Sequence, residues 1–105
     1  MRLSPRDRLT DYLTGIGEAL FFSRRFDEAA AKLLASLERA PRFPVTYRVL
    51  AACYAHIGKL DEAREIVERL RAITPLVVPS ATYYRKPEHR ELFLSGLRLA
   101  ADEVT

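Results

Sequence analysis

Hydrophobic positions along this chain recur at a spacing of 34 residues. In each of two consecutive segments, residues 10–43 and 44–77, apolar residues lie three or four positions apart, which is the spacing of one helix face. Laying the first segment on the second pairs residues of similar size: Leu13 with Tyr47, Ile16 with Leu50, Gly17 with Ala51, Leu20 with Tyr54, Ala29 with Ala63, Leu33 with Val67 and Pro41 with Pro75. A period of 34 with two helical stretches per unit predicts two helix hairpins stacked into a short solenoid.

Residues that start and end helices divide each segment in two. Ser4 and Pro5 open the first helix, because serine caps helix N-termini and proline suits the first helical turn. Gly58 ends the third helix, since glycine readily adopts the left-handed conformation that closes many helices. These signals predict helices from residue 4 to about 22, from 26 to about 40, from 44 to 57 and from 61 to about 73.

Beyond Val77 the repeat is lost. We expect a shortened helix over residues 78–84, a break over 85–87 and a last amphipathic helix over 87–101. Because a solenoid leaves a hydrophobic face at its end, this helix should lie over the open end of the second repeat as a cap. The prediction is a single domain over 1–105.

Length and composition fit a small globular domain. The 105 residues are 49% hydrophobic, which is enough for a core, and the formal net charge of +3 is too small to indicate nucleic-acid binding. No apolar run reaches the roughly 20 residues of a membrane span, and the N-terminus lacks the hydrophobic core of a signal peptide. We therefore expect a cytoplasmic protein.

Residues with catalytic or ligand-binding chemistry are scattered. His56 and His89 have no cluster of further ligands at a suitable spacing, so we expect no metal site. Gly15 and Gly17 lack the preceding strand and third glycine of a nucleotide loop, and no strand–turn–helix elbow exposes a nucleophile. Cys53 lies in an apolar run and should pack as a small hydrophobe. We expect no catalytic residue, no cofactor and no enzymatic activity.

The paired positions resemble the tetratricopeptide repeat family. The resemblance rests on small residues at Gly17 and Ala51, bulky ones at Leu20 and Tyr54, and the repeated alanine and proline at Ala29, Ala63, Pro41 and Pro75. It implies an all-α fold, a short right-handed α-solenoid of two helix hairpins followed by the short helix and the capping helix of residues 78–101. It also implies a function in protein–protein interaction.

The resemblance further implies a concave groove lined by the first helix of each repeat. The inward positions give a candidate partner-binding site of Asp11, Thr14, Glu18, Phe21, Phe22, Val45, Arg48, Ala52, Ala55 and His56. Arginine and aromatic residues often anchor binding patches. The alternative is that Phe21 and Phe22 belong to the core and that the last helix fills the groove. Thr14 and Glu18 stand where chaperone-binding members use Lys and Asn to grip a carboxylate, which argues against that ligand.

A narrower resemblance covers the whole chain. Residues 84–98 are similar to the end of the repeat tail that follows the catalytic domain in bacterial adenylate and guanylate cyclases, although no cyclase catalytic residue lies in this stretch. The favoured hypothesis is a regulatory or scaffolding module that binds a protein or peptide and is related to such a signalling tail. The alternative is a self-association module, suggested by the open ends of two repeats and by the apolar Leu92, Phe93 and Leu97. Neither nucleic acid nor membrane is expected as a partner.

Overall fold

The computed structural model describes residues 5–81 and 84–102, with side chains described from residue 9 onward. Within these ranges the chain forms five helices and no strand. Their bounds are α1 (Pro5–Phe22), α2 (Phe26–Arg39), α3 (Pro44–His56), α4 (Leu60–Arg71) and α5 (Pro87–Ala100). The predicted helices are confirmed to within about two residues, except that the proposed cap Ser4 lies outside the described residues.

The two hairpin turns have the same backbone geometry. After α1, the Arg25 amide donates a hydrogen bond to the Leu20 carbonyl oxygen at 2.9 Å, and the equivalent bond after α3 is 2.8 Å long. One residue earlier the chain turns left-handed in both places, with φ of 62° at Arg24 and 85° at Gly58. The second turn therefore ends at the glycine that the sequence predicts, while the first holds an arginine in the same strained conformation.

Small residues let the helices of each hairpin approach closely. Ala29 and Ala63 are both fully buried. A Cβ added to Gly17 would lie 2.6 Å from the Cδ2 of Leu33, so α1 and α2 can touch here only because position 17 carries no side chain. These contacts bear out the pairing of small and large residues in the repeat.

The last helix occupies a different place from the predicted one. Of the two helices in the hairpin before it, α3 contacts mainly the second, α2. In contrast, α5 packs mainly on the first helix of the hairpin before it, α3, and touches the second, α4, only marginally. An exposed ion pair of 3.4 Å between Arg64 and Asp102 belongs to this small contact with α4. The helix therefore covers the side of the second repeat that α3 forms, rather than its open end.

The shortened third helix is wrong for the part of it that the structure describes. Residues 78–81 and 84 are not helical, and residues 82–83 lie outside the described residues. Val78 precedes Pro79, which disfavours the helical conformation at Val78, and Ala81 has a φ of 60°. The segment from α4 to α5 is instead a connection that carries α5 across to α3.

Candidate partner-binding site

The last helix lies across the groove that the sequence predicts. The His56 Nε2–H donates a hydrogen bond of 2.7 Å to the carbonyl oxygen of Leu92 in α5. Gly96 permits this approach, because a Cβ added there would lie 2.7 Å from the His56 Nε2 and 3.0 Å from the Ala52 carbonyl oxygen. Two predicted groove residues, Ala52 and His56, therefore pack against α5.

Two further groove residues contact the start of the same segment. The Tyr84 hydroxyl donates a hydrogen bond of 2.5 Å to a carboxylate oxygen of Glu18. The ring of Phe22 stacks on His89, with centroids 4.2 Å apart and planes 13° apart, and it meets the Tyr84 ring edge-on at 4.9 Å. The acidic and aromatic positions of α1 thus hold the N-terminal end of the C-terminal segment.

Arg48 fastens the connection between α4 and α5. Its Nη2 donates to the Leu76 carbonyl oxygen at 2.7 Å, and its Nε donates to the Val77 carbonyl oxygen at 3.2 Å. Val45, one turn earlier on α3, is partly buried against the core. The guanidinium that the sequence offered as a handle for a partner is therefore bonded to this chain's own backbone.

Other groove positions lie inside the core. Phe21 is fully buried and its ring lies 5.9 Å from that of His56, while Ala55 is nearly buried. Phe26 stacks on His56 at 5.2 Å, and the Phe21 and Phe26 rings lie 5.5 Å from each other. The imidazole thus belongs to a cluster with two phenylalanine rings.

Thr14 joins a buried group of hydroxyls that the sequence analysis did not find. Its Oγ1 lies 2.8 Å from the Ser36 Oγ and 3.1 Å from the Thr46 Oγ1, so the three side chains link α1, α2 and α3. A signal existed, because Ser36 stands where the second repeat has Leu70. A polar residue where the other repeat has an apolar one indicates that a hydrogen-bond partner lies nearby, since burying a hydroxyl is costly unless it is hydrogen-bonded.

Asp11 lies apart from the other groove residues. It is exposed and lines a surface cleft of about 530 Å³ together with Thr10 and residues 39–43. The structure therefore does not bring all predicted site residues together at one open surface.

The covering of the groove is a stable part of the fold. Phe93 and Leu97 of α5 are buried almost completely, as is Leu92. Fully burying one such side chain contributes about 1.5–3 kcal/mol, so lifting α5 from α3 would cost much of the stability of a small domain. That the groove residues bind a partner stays a prediction.

A different surface of α1 is uncharged and partly open. Among residues 9–22, those that α1 buries are Thr10, Thr14, Gly17 and Phe21, so the apolar stripe that predicts this helix lies on another face. Tyr12 is 64% exposed and Leu9 is 36% exposed. The other apolar residues of this surface are either partly buried or exposed. We call this surface the α1 outer face, and it consists of Leu9, Tyr12, Leu13, Ile16, Ala19 and Leu20.

In the second repeat most of the equivalent face is buried. Thirty-four residues later, Thr46, Leu50 and Cys53 are fully buried and Tyr47 is 3% exposed. They lie on α3, which packs on α4 and α5 as well as on α2 of the preceding hairpin, and Arg69 of α4 lies 5.6 Å from the centre of the Tyr47 ring. The face that α3 buries is thus partly open on α1.

The opposite end of the solenoid has different chemistry. The residues that α4 leaves exposed are all charged: Asp61, Glu62, Arg64, Glu65, Glu68, Arg69 and Arg71. Charged side chains interact favourably with water, so this end is stable without a partner. The two ends of the described chain therefore differ, one apolar and one charged.

The structure supplies few reactive groups. Cys53 is buried, and its burial raises the pKa of the thiol to about 12, so the expectation of a structural cysteine is confirmed. Among residues 5–81 and 84–102, no cluster of three metal-ligating side chains occurs. No helix in those ranges is long and apolar enough to span a bilayer.

Helix hairpins repeated at a constant spacing define this chain as a helical repeat solenoid. It belongs to the tetratricopeptide repeat family, whose pattern it matches over residues 20–79, more than half of its length. Domains of this family generally mediate protein–protein interaction and are typically non-catalytic. Comparison with curated proteins and with solved structures finds no significant match.

Proposed function

We propose that this chain is a non-catalytic interaction module that binds an amphipathic helix of a protein partner on the α1 outer face. The observation that carries the proposal is that Tyr12 and Ala19 are exposed on α1, whereas their equivalents on α3, Thr46 and Cys53, are fully buried. A partner helix would take the place before α1 that α2 takes before α3. Binding would extend the solenoid by one helix.

The chemistry of the face defines the partner. Because none of its six residues is charged, the partner helix needs an uncharged stripe of its own. α2 offers a guide, since it packs on both α1 and α3 and, apart from Ser36, buries only small and aliphatic residues, Ala29, Ala30, Leu33 and Leu37. Ala19 and the neighbouring Gly15 are small and exposed, which allows a close crossing of two helices.

The test is a display selection for helical peptides that bind the immobilised chain. Selected peptides are then titrated against two single variants of the face, Tyr12→Glu and Ala19→Arg, which place a charge in a contact that must lose its water. We expect each variant to raise the dissociation constant at least about tenfold. Leu99→Glu, a change at a 49% exposed leucine of α5, is the matched control and should have no effect. Binding that survives both variants would overturn the proposal.

The concave groove is a second candidate surface. What supports it is that the groove already accepts a polypeptide segment, to which Glu18, Arg48 and His56 all bond. A partner segment with an aromatic hydroxyl and free backbone carbonyls could make the same contacts if α5 moved away. Such a ligand would compete with the chain's own C-terminus.

Hydrogen exchange tests whether α5 can move in this way. If the groove opens, amides of α5 should exchange by local opening, well before those of α3. Gly96→Ala should accelerate this exchange, because the added Cβ meets the His56 ring. Equal protection of α3 and α5 in the unmodified chain would mean that the groove stays closed.

A narrower hypothesis concerns the protein to which the module belongs. The resemblance of residues 84–98 to the end of bacterial cyclase tails supports a regulatory or scaffolding tail of a nucleotide cyclase. In such a protein the module would bring a partner to the catalytic domain. In a cyclase that carries this module as its tail, co-purification of a partner protein that is lost in Tyr12→Glu is the expected result. Unchanged co-purification of the variant would argue against this use of the face.

A further inference from the structure

We infer that the helix that occupies the α1 outer face is α1 of a second copy of this chain, packed in antiparallel orientation about a two-fold axis near Ile16. This inference rests on the proposed function, since it names the partner of the same face. The sequence suggested a dimer from the open ends of the two repeats and from Leu92, Phe93 and Leu97. Because these three residues are buried within one copy, the inference uses only the open end that α1 forms.

The remaining exposed helix faces of the chain do not suit the α1 outer face. α4 exposes a continuous set of charged residues, and α5 exposes Glu88 and Glu91 beside its single large exposed leucine, Leu99. On α2 the exposed Leu34 is accompanied by Lys32 and Glu38. A head-to-tail contact would remove such charges from water without pairing them, which is costly. A contact of the apolar face with itself has no such cost and closes as a dimer.

The face is complementary to itself in shape. Its most exposed large residue, Tyr12, and its smallest, Ala19, lie seven positions apart, which is about 10.5 Å along the helix. Because they are placed on either side of Ile16, an antiparallel copy sets each tyrosine against the alanine of the other copy. Gly15, where an added Cβ would meet no atom within 4 Å, leaves room for the second helix beside the axis.

The size of the face predicts a weak dimer. Leu9 to Leu20 covers about three helical turns, and a contact between two such helices lies at the small end of protein interfaces. We expect a dissociation constant on the order of micromolar. A dimer of this kind forms when the chain is concentrated or attached to a protein that already brings two copies together.

The experiment is analytical ultracentrifugation of the unmodified chain over about a hundredfold range of concentration around the micromolar region. Tyr12→Glu and Ala19→Arg are measured separately and then as an equimolar mixture. In each variant alone, two unpaired charges would enter the interface, so the dimer should be lost. In the mixture, a heterodimer sets the new carboxylate against the new guanidinium and keeps one tyrosine–alanine contact, so the dimer should return.

Two controls separate binding from folding. Circular dichroism should show equal helix content in all chains, since both changed residues are exposed on one helix. Leu99→Glu should leave the monomer–dimer equilibrium of the unmodified chain unchanged. A monomer at every concentration would overturn the inference, as would a dimer that resists both variants or a mixture that stays monomeric.

Failure of the inference can be distinguished from failure of the proposed function. If the unmodified chain is monomeric but selected helical peptides lose affinity for Tyr12→Glu, the face binds a different protein and only the inferred dimer is wrong. If neither self-association nor peptide binding depends on Tyr12 and Ala19, the inferred dimer and the proposed function are both wrong.

Discussion

The two hairpins share their internal geometry and differ in the surfaces that they expose. Both bury an alanine where their helices cross, at Ala29 and Ala63, and both turn through a left-handed residue. On the solvent side of the second helix, however, the first hairpin has Ala31, Leu34 and Ala35 where the second has Glu65, Glu68 and Arg69. Residues inside a hairpin maintain the repeat, whereas residues on its outside determine what it can bind.

The difference is clearest on the first helix of each repeat. Ala19 is exposed on α1, and its equivalent Cys53 is fully buried on α3. Both residues are small and uncharged, so their different exposure comes from the helices packed around α3 and not from their own side chains. An apolar face whose equivalent is a buried contact in the same chain is better evidence for a docking surface than exposure alone.

The largest expected effect tests the shared crossing of the hairpins. Ala29→Glu and Ala63→Glu each place an unpaired carboxylate in a fully buried position, which should lower the free energy of unfolding by about 3–5 kcal/mol. Urea denaturation followed by circular dichroism measures the loss. Ala31→Glu is the control, because it is exposed and its equivalent is already Glu65, so it should change little. Near-native stability of either buried variant would contradict the repeat register.

A second test concerns the different pairs of residues at the equivalent crossing. The first repeat combines Gly17 with Leu33, and the second combines Ala51 with Val67. Gly17→Ala should destabilise the chain by about 1–3 kcal/mol, because its Cβ would overlap Leu33. Adding Leu33→Val recreates the pair of the second repeat and should recover part of that loss.

The control Gly15→Ala separates the effect of added side-chain volume from the effect of helix propensity. Its Cβ would meet no atom within 4 Å, and alanine favours the helix over glycine by about 0.5–1 kcal/mol. Thermal unfolding should therefore show opposite shifts for Gly15→Ala and Gly17→Ala. If the two glycine variants behave alike, the close contact of α1 with Leu33 is not important for stability.

The third test exchanges the turn residues of the two hairpins. Arg24→Gly should raise the free energy of unfolding by about 1 kcal/mol, since a residue with a side chain is strained at a φ of 62°. Gly58→Arg should lower it by a similar amount, because φ at this position is 85°. The two melting temperatures should move in opposite directions. A drop for Arg24→Gly would mean that the arginine side chain stabilises the turn through contacts that outweigh its strain.

The last test has the smallest effect on stability. It compares the reactivity of a cysteine at equivalent positions of α1 and α3. With the pKa of its thiol raised to about 12 by burial, Cys53 should react very slowly with an alkylating reagent at pH 8. In the double variant Cys53→Ala with Ala19→Cys, the exposed thiol should react at the rate of a free cysteine at low protein concentration. Rapid labelling of native Cys53 would show that the packing around α3 opens readily.

The raised pKa of the Cys53 thiol also determines whether stability rises or falls with pH. Because the folded state holds the thiol protonated up to a pKa of about 12, whereas an unfolded thiol ionises near 8.5, the unfolded state loses its proton first. The stability is therefore fully present below pH 8.5 and falls as the pH rises from there towards 12. Cys53→Ala should remove this contribution to the alkaline loss.

The repeat could be read from the sequence because its signals are local. The 34-residue spacing, the prolines that open helices and Gly58 at the end of α3 act through backbone geometry, which neighbouring residues determine. The arginine at position 24 carries no such signal, since arginine is not a residue that favours a positive φ. Its conformation follows from the path that α2 must take to pack on α1.

The candidate site was harder to predict, because it depends on long-range contacts. The groove positions around Glu18, Arg48 and His56 are those that the family resemblance indicates, yet they bond to residues 28 to 66 positions away in the chain. Nothing in the periodicity of α5 indicates which helix it covers, because its apolar stripe would fit either α3 or α4. Gly96, which permits contact with Ala52 and His56, is visible as a motif only after that packing is known.

By itself, the amino-acid sequence determined the number of hairpins, the bounds of their helices and the residues at their crossings, because helix periodicity, caps and small residues act over a few turns. Only the tertiary structure decided that α5 fills the groove and that the apolar face of α1 stays open. One stripe of apolar residues can be buried or exposed with the same sequence pattern, and which of the two occurs depends on whether another helix lies against it.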